Sequence, residues 1–64
     1  MIPQWYELLY DNGKETQTIY SSEELQDLRH LRENLYSICF IPKYRLHIDK
    51  WENPINPKMV ETIE

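Results

Sequence analysis

Four leucines, Leu25, Leu28, Leu31 and Leu35, recur at spacings of three and four within SSEELQDLRHLRENLY. That spacing places them on one stripe of an α-helix. An apolar stripe must be laid on another apolar layer, and the runs on either side of it read as β-strands that supply one. The spacing predicts a helix over Ser21–Tyr36. Ser21 is placed as the N-cap, with Glu24 reaching back to its amide in a capping box and Tyr20 and Leu25 forming a hydrophobic staple. Glu23 and Glu24 fall in the first turn, where the helix dipole favours acids.

Residues 2–10, IPQWYELLY, are predicted as a strand that begins at Pro3 and is aromatic and branched from Trp5 to Tyr10. Asn12-Gly13 follows, the favoured pair of a two-residue type I′ turn. KETQTIY then alternates as the returning strand. A two-residue loop sets Asp11 against Lys14, Leu9 against Thr16, Glu7 against Thr18 and Trp5 against Tyr20, with Tyr10–Glu15, Leu8–Gln17 and Tyr6–Ile19 on the other face. Both faces carry apolar side chains, so the pattern leaves open which one meets the helix.

After the helix, YSICFI at 36–41 is the most hydrophobic short run and is expected as a central strand, with Cys39 buried in it. Pro42 interrupts it. KYRLHI at 43–48 sets Tyr44, Leu46 and Ile48 on one face and Arg45 and His47 on the other, either as a separate strand or as a bulged continuation. ENPINPKMVETIE has two Asn-Pro pairs and no clear period, and reads as a loosely packed, swapped or disordered tail. The expectation is an α+β fold: one helix on a small, mostly antiparallel sheet of three or four strands. Its order is β-β-α-β, or β-β-α-β-β if 43–48 is a separate strand. Residues 1–52 form the domain and 53–64 a Pro-containing tail. In such a two-layer fold the far face of the sheet is bare.

Sixty-four residues with a single cysteine bury a small core and form no internal disulfide, so stability rests on packing or on a partner subunit. The lone cysteine, the lack of a long apolar run and an N-terminus without signal character lead to the expectation of a cytoplasmic protein. The net charge of -4 is uneven. Residues 1–34 hold seven acids and three bases, whereas 35–64 hold four of each. An acidic half disfavours general binding to a phosphate backbone.

Chemistry is sparse. Gly13 is the only glycine, so no phosphate-binding loop is possible, and no nucleophile elbow, HExxH or Walker pattern is present. Cys39, His30, His47 and Asp49 are the reactive side chains. Cys39 fits a buried strand position, His30 a solvated helix face, and His47 with Asp49 a wet sheet edge. No catalytic residue, metal site or cofactor is expected. Residues 36–51 interleave aromatics with bases, and Lys43, Tyr44, Arg45, His47 and Lys50 are the candidates for a weak nucleic-acid contact. Their alternative role is an ordinary charged edge that blocks aggregation. Glu15, Glu23, Glu24 and Asp27 are too sparse for nucleic-acid mimicry and suit the helix start. The best-supported reading is a small non-catalytic protein that binds protein, as a homodimer or with another chain. Its interface candidates are the amphipathic aromatics Trp5, Tyr6, Tyr10, Tyr44 and Trp51.

The arrangement WYELLYDNGKETQTIYSSEELQDLRHLRENLYSICFI, which covers about residues 4–41, resembles small uncharacterised ββαβ proteins of bacteria, phages or plasmids. The matching parts are the aromatic strand, the Asp-Asn-Gly turn, the Ser-Ser-Glu-Glu helix start and the hydrophobic run after the helix. The resemblance carries no catalytic residue and implies an accessory or regulatory role through binding. Residues after Pro42 have no counterpart in it.

Overall fold

The computed structural model describes residues 3–64. Ile2, expected at the head of the first strand, lies outside the described residues. The chain runs β1 (Gln4–Asp11), β2 (Thr16–Ser22), α1 (Leu25–Cys39), a single 3-10 turn (Lys43–Arg45), β3 (Leu46–Glu52) and β4 (Lys58–Thr62). The four strands form one antiparallel sheet in the order β2-β1-β3-β4, with α1 on one side of it. This is the expected α+β architecture in its four-stranded form.

The core sits between α1 and the two central strands. Leu8 of β1, Leu46 and Ile48 of β3 and Leu28 of α1 are fully buried, at 0% exposure. Tyr6, Tyr10, Leu25, Leu31, Leu35 and Ile41 pack around them. Side chains alternate across a strand, so the burial of Leu8, Leu46 and Ile48 decides the face that the sequence left open. Even-numbered residues of β1 and β3 meet the helix, and Trp5, Glu7, Leu9, His47, Asp49 and Trp51 point the other way. Each fully buried aliphatic side chain contributes about 1.5–3 kcal/mol, so a core of four is small.

The first hairpin departs from the expected register. Asp11 pairs with Thr16, Tyr10 with Gln17 and Leu9 with Thr18, and a bulge at Ile19 then brings Tyr20 opposite Leu8. The loop is therefore four residues long, not two. Only Gly13 has a positive φ, of 93°, so the type I′ geometry, which needs two, does not form. Asn12 instead accepts the amides of Lys14 (2.8 Å) and Glu15 (2.9 Å) on its side-chain oxygen, and Asp11 accepts the Gly13 amide at 2.8 Å. These side-chain turns satisfy the loop backbone and make the longer connection favourable.

The helix starts later and ends later than its leucine stripe suggests. Glu24, not Ser21, is the N-cap, and no side chain caps it. Ser21 and Ser22 remain in β2. The Ser22 hydroxyl accepts the Glu24 amide at 3.0 Å and donates to Asp27 at 3.3 Å, a local substitute for the expected capping box. At the other end Tyr36–Cys39 continue the helix, so YSICFI is not a strand and Cys39 is exposed. Phe40 stops the helix in the left-handed conformation at φ 59°, and the Ile41 amide returns to the Leu35 carbonyl at 3.2 Å. Adding a residue to an existing helix is far easier than nucleating a new element, so a strand-like composition is overridden until Pro42 forbids continuation.

The segment expected as a tail contains β4. Lys58, Met59, Glu61 and Thr62 pair with Glu52, Trp51, Lys50 and Asp49, with a bulge at Val60. Pairing continues beyond it, since the Ile63 amide donates to Ile48 at 2.7 Å and the Ile48 amide to Glu64 at 3.0 Å. The Asn-Pro pairs fall in the connecting turn, where Asn53 takes φ 62° and donates its amide to the Pro3 carbonyl at 3.1 Å. Asn tolerates that conformation better than other side-chain-bearing residues. Arg32 then ties the layers together. Its guanidinium donates to the carbonyls of Leu46 (3.0 Å) and Lys43 (3.1 Å) and to the Glu64 carboxylate (3.2 Å), which Arg29 also meets at 2.9 Å.

Candidate functional site

Three cross-strand rows on the face away from the helix define the site. Trp5 lies opposite Trp51, Glu7 opposite Asp49, and Leu9 opposite His47. The outer strands extend each row, with Met59 beside Trp51, Thr62 beside Asp49, Ser21 beside Glu7 and Thr18 beside Leu9. The rows come from β1 and β3, the two central strands, each paired on both sides.

The two indoles stack, with ring centroids 6.2 Å apart and planes 16° from parallel. The pair is half-buried by its own contact and its neighbours, and nothing from α1 reaches it. Trp5 Nε1 donates to Glu7 at 3.1 Å, and Thr18 donates to the other oxygen of the same carboxylate at 3.3 Å. Trp51 Nε1 is buried and has no acceptor among the described residues. Asp49 accepts the Thr62 hydroxyl at 2.9 Å. Leu9, Thr16, His47, Asp49 and Thr62 line a shallow depression beside the carboxylates.

The five aromatic interface candidates therefore separate. Trp5 and Trp51 form one end row of the open face, next to Glu7 and Asp49. Tyr6 and Tyr10 are on the helix side, packed against the core. Tyr44 is 71% exposed on the 3-10 turn, with the Arg45 guanidinium 5.4 Å from its ring centre. Sequence reasoning passed over Glu7, Leu9 and Met59, which the pairing brings beside the tryptophans. Their strict alternation with Trp5 along β1 was the available signal for the first two.

The nucleic-acid candidates also fall on different surfaces. Lys43 pairs with Glu33 at 2.8 Å and lies 4.9 Å over the Tyr36 ring, at the end of the helix. Arg45 donates to the Asp11 carbonyl at 3.1 Å beside the first hairpin loop. Lys50 is on the helix side of β3, between Tyr6 and Glu61, whereas His47 is on the open face. Among the described residues no continuous basic strip forms.

The reactive residues do not converge. His30 and Cys39 are nine residues apart on α1, about 13 Å along its axis at 1.5 Å per residue, and His47 lies beyond the sheet from both. Among the described residues no three His, Cys, Asp or Glu side chains come together as a metal site, and no helix is long and apolar enough to cross a membrane. Comparison with known proteins gives no match: no family model fits the sequence, and no curated protein or solved structure is similar to it.

Proposed function

We propose that this chain is a non-catalytic protein-binding domain, an accessory or regulatory factor that acts through the open face of its sheet. The observation that carries the reading is the stacked Trp5–Trp51 pair on a face that none of the described elements covers. Large amphipathic rings on a rigid platform bury much area at little entropic cost, which is why tryptophan dominates protein interfaces. The site is flat and holds no convergent nucleophile and base, so it suits contact rather than turnover. A photo-crosslinking residue at Leu9, on the open face in the row beyond Glu7, is expected to capture a discrete protein in the cells that make the chain. The same residue at Gln26, on the solvent side of α1, is the control. Equal or absent adducts at both positions overturn the reading.

A second reading, self-association, is favoured by a different surface. β2 is an edge strand of seven residues, TQTIYSS, without a charge or a proline, and its outer side is free. Edge strands are normally guarded by such residues, as Lys58 and Glu61 guard β4. Two copies paired antiparallel along β2 bring no like charges opposite one another, because the strand carries none. The sheet would then run continuously through a symmetric dimer.

A further inference from the structure

Glu7 and Asp49 sit directly opposite one another in the central strand pair. Like charges in that position oppose pairing, and most sheets avoid them. Here the fold holds both carboxylates in fixed orientations. Glu7 is held by Trp5 and Thr18 and Asp49 by Thr62, all neutral donors that fix the oxygens without cancelling the charge. Six of the seven lysines and arginines serve elsewhere, and the seventh, Lys14, lies in the first hairpin loop. Arg29 and Arg32 meet Glu64 and Lys43 meets Glu33. Lys50 and Lys58 point to the helix side, and Arg45 holds the first hairpin loop. The open face thus presents an oriented pair of carboxylates that no lysine or arginine meets among the described residues, with His47 in the row on one side and two stacked indoles in the row on the other.

We propose that this face seats a basic side chain, arginine or lysine, from an extended segment of another protein, its charged head between Glu7 and Asp49 and its stem over the Trp5–Trp51 pair. The proposal rests on the reading of the open face as a protein contact and names what that contact recognises. Indole faces attract cations through their quadrupole, and a guanidinium also stacks on them. Paired carboxylates supply the acceptors that a charged head needs when it leaves water. A second copy of the same face does not fit, because it brings Glu7 and Asp49 against Glu7 and Asp49. A bare metal ion does not fit either: it leaves the indoles without a role, and among the described residues no three His, Cys, Asp or Glu side chains come together.

Trp5 and Trp51 are the only tryptophans in the chain, so intrinsic fluorescence reads this face directly. The full chain is titrated with a short capped peptide of alternating Arg and Ala, and separately with its Glu–Ala counterpart. The expected result is a saturable change in tryptophan emission with the Arg peptide only, weakening as salt is raised. Asp49→Asn keeps the acceptor for Thr62, and Glu7→Gln keeps one for Trp5 while its amide nitrogen can donate to the Thr18 hydroxyl; each removes one charge. Each is expected to weaken binding about fivefold while raising the melting temperature, which shows that the variant is folded. Glu33→Gln, on the helix, is expected to bind as the native chain does. The proposal is overturned if the Arg peptide gives no saturable change, if the Glu peptide binds as well, or if both charge variants bind normally. Should Leu9 still crosslink a protein in those cases, the face is a contact surface and only the cation seat is wrong. If Leu9 captures nothing as well, both fall together.

Discussion

Phe40 ends the helix in a conformation that suits glycine, and its ring is 85% exposed. A left-handed backbone costs a side-chain-bearing residue on the order of 1–2 kcal/mol, and here no burial of the ring offsets it. Phe40→Gly is therefore expected to stabilise the fold by about 1 kcal/mol, seen as a higher urea midpoint with an unchanged slope. An unaltered or lower midpoint would mean that the exposed ring contributes to stability. Arg32 is the opposite case, a charged residue that is mostly covered and fully used. Its three acceptors belong to the 3-10 turn, the start of β3 and the end of the chain. Arg32→Ala leaves two carbonyls and a carboxylate to find water, and is expected to destabilise by about 2–3 kcal/mol in the same assay. Neither role is visible in the sequence, where Phe40 reads as core and Arg32 as one more charge on a helix.

At the scale of elements, the helix is the part most legible beforehand. Leu25, Leu28, Leu31 and Leu35 all face the sheet, as their spacing requires. Leu28 alone is wholly buried, between β1 and β3. Leu28→Ala is expected to cost about 2–5 kcal/mol, a large share of the stability of so small a domain, and to be far worse than Ile38→Ala at the exposed helix end. Equal losses at the two positions, measured by denaturant unfolding, would contradict the packing described. The boundaries were less legible. Tyr36–Cys39 have the composition of a strand and the hydrogen bonds of a helix, because local preference there is weaker than helix propagation. Lys58–Thr62 have a weak pattern of their own and become a strand because β3 offers a free edge. The hairpin register slipped for a similar reason: side-chain turns at Asp11 and Asn12 and a bulge at Ile19 carry no periodic signature.

As a whole the molecule is a two-layer plate, 38 × 26 × 15 Å across its Cα atoms. Its radius of gyration of 12.0 Å exceeds the roughly 11 Å expected of a rounded domain of this length, as a flattened shape requires. A plate with one helix has one side covered and one side bare, and it has two free edges. These surfaces give separable expectations. If β2 pairs with a copy, light scattering across a dilution series gives twice the chain mass at high concentration. That mass is insensitive to salt, since no charges meet, and Ile19→Lys restores the monomer while Trp51→Phe does not. A dimer that survives Ile19→Lys but dissociates with a change at Trp5 or Trp51 would assign self-association to the open face and remove the cation seat with it.

The sequence alone determined the helix, the first hairpin, the α+β class and the excess of aromatics over what one small core can hold. Those follow from local periodicity and composition, which act over a few residues at a time. Only the tertiary structure decided that Trp5 stacks on Trp51, that Glu7 faces Asp49 and that Tyr6 and Tyr10 belong to the core. Each of these pairs residues more than 40 positions apart, or depends on which side of β1 the helix covers. Strand alternation makes that an all-or-nothing choice: once Leu8, Leu46 and Ile48 were taken into the core, every odd-numbered neighbour in β1 and β3 was committed to the open face.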